Sequence, residues 1–199
     1  MVSRREYHQL QNHLANVEKR LIQANQTIEE LVGLQKKFSF LGSVSFVPSG
    51  IITSTIESSR SELMINRGEN NSLSKGQFVL ADNGVIGTVS EVWSCTAKVK
   101  LVTDPASNIA IKISDIGRFM RGAGNNTAKI SLLSTKVTVK TGDYVYADKK
   151  PGFLDAPMVV GKVARCKRDD GNPSIWDITV EPVCDIESLK NVHVIVTSR

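Results

Sequence analysis

Apolar residues open the chain at alternating steps of three and four: Tyr7, Leu10, Leu14, Val17, Leu21, Ala24, Ile28, Leu31, Gln35 and Phe38. This is a strict 3.5-residue repeat, which draws a narrow apolar seam along one α-helix. Gln35 is the polar member of the series, and a polar residue at a seam position fixes register at some cost in stability. No proline interrupts the stretch, and its single glycine, Gly33, lies near the end. At about 1.5 Å per residue the seam extends about 48 Å. A helix this polar is marginal alone, and its stripe is narrower than that of a helix lying on its own globular domain. A parallel two-stranded coiled coil is therefore expected over residues 1–42. Few complementary charges flank the seam, so a homodimer is the simplest partnership.

After Leu41-Gly42 and the turn residues Pro48-Ser49-Gly50, the period changes to two. Ala97, Val99 and Leu101 alternate with Lys98 and Lys100; Ile109, Ile111 and Ile113 alternate with Ala110 and Lys112. Trp176, Ile178 and Val180 repeat the pattern, as do Val192, Val194 and Val196. Such alternation marks half-buried strands. Asp82-Asn83-Gly84 is the strongest hairpin signal, because Asn-Gly suits a turn whose central residues need positive φ. Many short strands with Gly-containing turns indicate barrels or sandwiches. The chain also echoes itself. Gly76-Gln77-Phe78-Val79-Leu80-Ala81-Asp82 precedes Val85-Ile86-Gly87-Thr88-Val89, and Gly142-Asp143-Tyr144-Val145-Tyr146-Ala147-Asp148 precedes Val159-Val160-Gly161-Lys162-Val163. The second copy carries a longer excursion from Lys149 to Pro157. Two related small barrels in tandem are the natural inference, with chance similarity of short hairpins as the alternative.

Composition narrows the class of function. With 41% hydrophobic, 23% charged and only 6% aromatic residues, the chain is globular, with a core of Val, Ile, Leu and Ala. A net charge of +5 permits an anionic partner such as nucleic acid, membrane surface or wall polymer. The basic residues are spread out, however. The nearest approach to a block, Lys129, Lys136, Lys140, Lys149, Lys150, Lys162, Arg165, Lys167 and Arg168, reads first as a solvated face. Cys95, Cys166 and Cys184 stand far apart, which argues against a zinc ribbon or a redox pair and leaves one optional disulfide open. The sequence contains no apolar run long enough to span a bilayer and no signal-peptide pattern.

A search for catalytic chemistry finds little. His8 and His13 are five apart on the helix and do not share a face as a metal pair would, while His193 alternates out of phase with Val192 and Val194. No nucleophile elbow, phosphate-binding loop or zincin helix appears, and Gly122-Ala123-Gly124-Asn125-Asn126-Thr127 reads as a β turn. No enzyme, metal or cofactor is expected. Binding of single-stranded nucleic acid by a basic small barrel is the competing reading, since Phe78, Tyr144 and Tyr146 sit on strands near lysines. Against it, two of these aromatics occupy matching places in the echo, as core positions would.

The segments Met64-Ile65-Asn66-Arg67-Gly68 and Leu73-Ser74-Lys75-Gly76, then Val85-Ile86-Gly87-Thr88-Val89 and Leu101-Val102-Thr103-Asp104-Pro105, resemble the first barrel of the MreC family of rod shape-determining proteins. Val159-Val160-Gly161-Lys162-Val163, Thr179-Val180-Glu181-Pro182 and Leu189-Lys190-Asn191-Val192 resemble that family's second barrel and its closing strand. The resemblance runs in order over residues 50–197, behind a coiled coil. It implies a mainly β fold with two small six-stranded barrels, at 43–118 and 119–199, with their boundary and any strand exchange left open. It implies a non-enzymatic scaffold of cell elongation in the periplasm, with an elongation-specific penicillin-binding transpeptidase and membrane components including MreD as partners in peptidoglycan synthesis. The family's membrane helix is absent from this sequence, so a soluble truncation is expected, with a natural start as the alternative. Lys149-Lys150-Pro151-Gly152-Phe153-Leu154 replaces a Gly-rich link of the family, and its Phe153 and Leu154 are expected to be exposed anchors for a partner, with packing against the barrel rim as the alternative.

If the seam pairs two copies, replacing Leu14 and Leu21 together by Lys is expected to reduce the mass in sedimentation equilibrium from dimer to monomer. An unchanged mass would remove the helix from the association.

Overall fold

The computed structural model describes residues 4–37, 44–82, 84–154 and 156–197. Phe38 of the expected seam and Asn83 of the expected hairpin turn lie outside the described residues, as do the side chains of Tyr7, Leu10 and Gln35. The chain divides into two compact units, one holding the helix and the other holding the strands. Helix α1, Arg4–Lys37, runs without interruption. Of its seam, Leu14 is 53% exposed, Val17 46%, Leu21 61% and Ile28 58%. A single copy of α1 thus leaves the seam bare.

Twelve strands follow: β1 (Val44–Ile56), β2 (Ser61–Ile65), β3 (Phe78–Ala81), β4 (Gly84–Val92), β5 (Ala97–Leu101), β6 (Asn108–Ile113), β7 (Ile116–Gly124), β8 (Thr127–Ser134), β9 (Tyr144–Ala147), β10 (Met158–Arg168), β11 (Ile175–Pro182) and β12 (Asn191–Thr197). They close into two six-stranded barrels, ordered β1-β12-β3-β4-β5-β2 and β10-β11-β8-β7-β6-β9. The arrangement differs from the tandem expected from sequence. β12 is a stave of the first barrel, lying antiparallel between β1 and β3, so the second barrel is an insertion between β5 and β12. The second barrel also begins with β6, ahead of the expected boundary at 118/119. Alternation shows where strands are but carries no label for the partner they pair with.

Inward-facing residues fill each barrel. Leu63, Ile65, Val79, Ile86, Val99, Leu101, Val192 and Val194 make the first core, and Ile186, from a short 3-10 turn capped by Asp185, joins it. Ile111, Ile113, Met120, Ile130, Leu133, Val145, Val160 and Ile178 are buried in the second. Each fully buried Leu or Ile contributes about 1.5–3 kcal/mol of transfer free energy.

The echo seen in the sequence is a geometric one. Gly76 N–H donates to Val89 O and Gly142 N–H to Val163 O, both at 2.8 Å. The return bonds, Val89 N–H to Gln77 O and Val163 N–H to Asp143 O, are both 2.9 Å. The interior glycines match as well. A Cβ at Gly87 would collide with Lys100 O, and one at Gly161 with Glu181 O, on the neighbouring strand. Each barrel turns a tight corner where only a glycine lets the backbones approach.

Residues 102–107 join the barrels and are bonded to both. The buried Asp104 carboxylate accepts Ser61 N–H at 2.7 Å and Ala106 N–H at 2.8 Å. Val102 N–H donates to Ile86 O, Gly124 N–H to Thr103 O, and Gly122 N–H to Ser107 O. A Cβ at Gly122 would collide with Asp104 O, so β7 meets this junction backbone to backbone. Asp104→Ala strips the buried Ser61 N–H and the half-buried Ala106 N–H of their acceptor and is expected to cost about 1–3 kcal/mol in urea unfolding. Gly122→Ala should cost more, because backbone has to move; equal or smaller losses would mean the junction is pliable.

Candidate functional site

The two barrels differ in what covers their outer faces. In β3 every residue from Phe78 to Ala81 is buried, whereas in the equivalent β9 Val145 and Ala147 are buried but Tyr144 and Tyr146 face solvent. Phe78 and Tyr144 hold the same place in the echo, and the expectation that both are core residues fails for Tyr144, which is 47% exposed. The local sequence is alike; the covering element is not. Over β3 lies the excursion that follows β9. Lys150 N–H donates to Leu154 O and Leu154 N–H to Lys150 O, both at 2.8 Å, which folds the segment into a tight loop. The Lys150 ammonium sits 4.3 Å from the Phe153 ring centre and 6.0 Å from that of Phe78.

This placement corrects the sequence reading of that loop. Leu154 is fully buried, so it is part of the packing and presents nothing to a partner. Phe153 is half-buried, beneath Lys150 and beside Gly76 of the first barrel. A loop expected to reach outward is instead folded back across the barrel junction, since Pro151-Gly152 supplies a turn and Leu154 gains more by burial than by exposure.

The exposed apolar side chains of the second barrel lie elsewhere, and sequence reasoning missed them. Phe119 of β7 is 63% exposed and Leu132 of β8 is 73% exposed. Both border one shallow apolar depression, together with Ala110, Gly117 and Ser131. Ala110 stands opposite Phe119 in the ladder, and Lys112 opposite Tyr146, so the face runs from β8 through β7 and β6 to β9. There the Tyr144 and Tyr146 rings lie 6.5 Å apart, tilted by 46°, and the Lys162 ammonium sits 4.6 Å over Tyr144.

Leu132 is held outward by a bulge. The ladder pairs Ile178 with Ile130 and Trp176 with Leu133, so β8 spends one more residue than β11 across this step. Leu132 takes φ 60° there, in the left-handed region that a leucine adopts only at a cost of about 1–2 kcal/mol. The signal was available: inward residues Ala128 and Ile130 set a phase that Leu133 breaks, so of the Leu132-Leu133 pair one had to point out. Phe119 was legible in the same way, since it is out of phase with the buried Met120.

Nothing on this face suggests catalysis. Among the described residues no group of three or more His, Cys, Asp or Glu could hold a metal ion. No helix among them is long and apolar enough to cross a membrane. The face can do what exposed aromatic and aliphatic groups do, which is to bury themselves against another protein.

Comparison with known proteins gives this geometry a context. The family model for the rod shape-determining protein MreC, barrel core, matches residues 51–196. The cell shape-determining protein MreC of Haemophilus influenzae is 26% identical over 146 residues, covering 71% of this chain and 41% of that protein. The chain spans about half or less of the length of the relatives it matches. The crystal structure of MreC from Pseudomonas aeruginosa superposes with a TM-score of 0.68 at 24% identity, over 75% of this chain and 98% of that one. A complex between a penicillin-binding protein, PBP2, and MreC from Helicobacter pylori gives a TM-score of 0.59 at 14% identity, over 78% of this chain and 99% of that chain. At these identities the structures establish the fold.

The thiols make the packing testable. Cys95 is exposed, and all three cysteines are unbridged. Burial, with the charges of Asp82 and Asp185, pushes the Cys184 thiol up to about 11. Burial and then Asp143 also raise Cys166. Only thiolate reacts readily, so a thiol reagent at mildly alkaline pH is expected to label Cys95 first and Cys184 last. The fast phase should vanish in Cys95→Ser; a fast phase that persists would mean the half-buried thiols are open to solvent.

Proposed function

This chain belongs to the MreC family, and from that premise we propose that it is a non-enzymatic scaffold of the cell-elongation machinery. It acts in the periplasm, pairs two copies through α1, and holds a penicillin-binding transpeptidase against the outer face of its second barrel. MreD and other membrane components are further partners on this reading. The observation that carries it is the unprotected row Leu132, Phe119, Tyr146 and Tyr144, an apolar and aromatic face on a rigid barrel. The complex of a penicillin-binding protein with MreC from another organism supports a partner of that class.

The mechanism is positional. A closed barrel holds its outer side chains at fixed spacing, so a partner docks without an ordering cost on this side. If the transpeptidase has two conformations and the face binds one more tightly, docking shifts it toward that one. Pairing through α1 would present two such faces together and raise the effective concentration of bound enzyme. The bulge at Leu132 fits a docking role, because a strained outward leucine has no use in the barrel's own core.

Binding of the full chain to the soluble ectodomain of the cognate elongation transpeptidase, by interferometry, tests the proposal. Saturable binding is expected, surviving removal of residues 1–42 with lower apparent affinity. Phe119→Ser should weaken it by about tenfold or more. Leu132→Gly is the sharper variant: relief of the positive φ should hold or raise stability by about 1 kcal/mol while binding weakens. Unchanged affinity in both variants would move the docking site off this face. Binding to single-stranded nucleic acid with a steep salt dependence would instead favour the basic-barrel reading.

A further inference from the structure

A half-open cleft of about 440 Å³ lies between the barrels and shares Ala110, Phe119 and Asp148 with the depression on the docking face. Gly76, Phe78, Thr88 and Lys100 line it from the first barrel, and Ser107, Asn108 and Ile109 from the second. The segment Asp148-Lys149-Lys150 closes one side. Its apolar lining comes from Phe78 and Ile109, which are only 4% and 8% exposed, and from the open ring of Phe119. Small polar groups, Ser107 and the exposed Asn108, stand on one wall, and a primary amide there can both donate to and accept from a peptide backbone.

The charge of the cleft is one-sided. Lys100, Lys149 and Lys150 bring three ammonium groups, against Asp148 as the one carboxylate in the lining. That carboxylate is engaged, 3.5 Å from Lys112 Nζ and accepting the Lys149 N–H at 2.8 Å. Glu62, opposite Lys100 in the ladder, is held by Arg60. Lys150 rests on the rings of Phe153 and Phe78. None of the three cleft lysines forms an ion pair among the described residues. A cleft lined by more ammonium groups than free carboxylates favours an anionic occupant.

We propose that this inter-barrel cleft is a binding site for an acidic peptide segment carrying one large apolar side chain. The apolar side chain packs against the open ring of Phe119, at the edges of Phe78 and Ile109, while flanking carboxylates meet Lys100, Lys149 and Lys150. The exposed Phe119 ring favours a peptide over a repeating polyanion, which satisfies the lysines but leaves that ring in water. The cleft holds a few residues, no more. The occupant need not be the transpeptidase, although Phe119 is shared with the docking face: any protein segment of this chemistry would fit the cleft.

The probe is a fluorescein-labelled Glu-Glu-Phe-Glu-Glu amide, titrated with the full chain by fluorescence anisotropy at low salt. Saturable binding is expected, with amide shifts in NMR at Gly76, Asn108 and Ala110. Lys100→Glu with Lys149→Glu should weaken it by about tenfold or more, and replacing the peptide Phe by Ser should do the same. Lys136→Glu, outside the cleft, serves as the charge control and should bind as the unaltered chain does; far-ultraviolet circular dichroism checks that each variant is folded. The proposal is overturned by absent binding, by equal loss in the Lys136→Glu control, by a Ser peptide that binds as well as the Phe peptide, or by inorganic polyphosphate displacing the peptide in preference to peptides of this class. Loss of peptide binding in the cleft variant supports the site whether or not that variant still binds a transpeptidase.

Discussion

One buried carboxylate governs how the two barrels meet. Asp104 ties the strand-leading backbone of Ser61, in the first barrel, to the turn at Ala106 that leads into the second. Gly122 lets β7 close on this turn, and Gly124 lets it close on Ser58 between β1 and β2, without side chains between the backbones. Such a junction tolerates little bending, because each polar group it contains loses a partner when the geometry opens. The cleft and the docking face both inherit their shape from it, since one lies across the junction and the other begins at its rim.

The second consequence is an asymmetry between two otherwise similar barrels. β3 and β9 share a glycine lead-in, the same backbone bonds and the same inward residues. The loop after β9 crosses to lie over Phe78, while no comparable element covers Tyr144 and Tyr146. Repetition of a fold unit thus leaves one copy sealed and the other open. The open copy is where a partner finds apolar surface, and the sealing loop brings lysines to the barrel junction.

Much of this was legible in the chain and some was not, for physical reasons. The helix followed from spacing alone, because a seam at steps of three and four has one geometric meaning. The paired hairpins followed from Gly76 and Gly142, whose positive φ is a local demand, and from Gly87 and Gly161, where a neighbouring strand leaves no room for a side chain. The family resemblance rested on short segments in a fixed order, among them Thr103-Asp104-Pro105, which lies at the junction. What local pattern could not say was which strand β12 would join, because pairing is decided by the whole barrel. Nor could it say that Tyr144 is open where Phe78 is closed, or that Leu154 is buried: both depend on one loop's path. The phase break at Leu132-Leu133 signals that one leucine points out, but which one, and its positive φ, follow only from the ladder.

The insertion of one barrel within the other has a bearing on how the chain is made. As residues emerge in order, β1 to β5 can pair early, but the place between β1 and β3 stays vacant until β12 arrives, after the whole second barrel. For that interval the first barrel has two unpaired edges, which invite strands from other chains. The second barrel, continuous from β6 to β11, can finish alone and act as a nucleus that delivers β12 to its slot. Ribosomal order and folding order therefore run opposite: the domain begun first is completed last. Quality control that samples nascent chains would meet the molecule in that half-closed state, with its C-terminal strand as the latch.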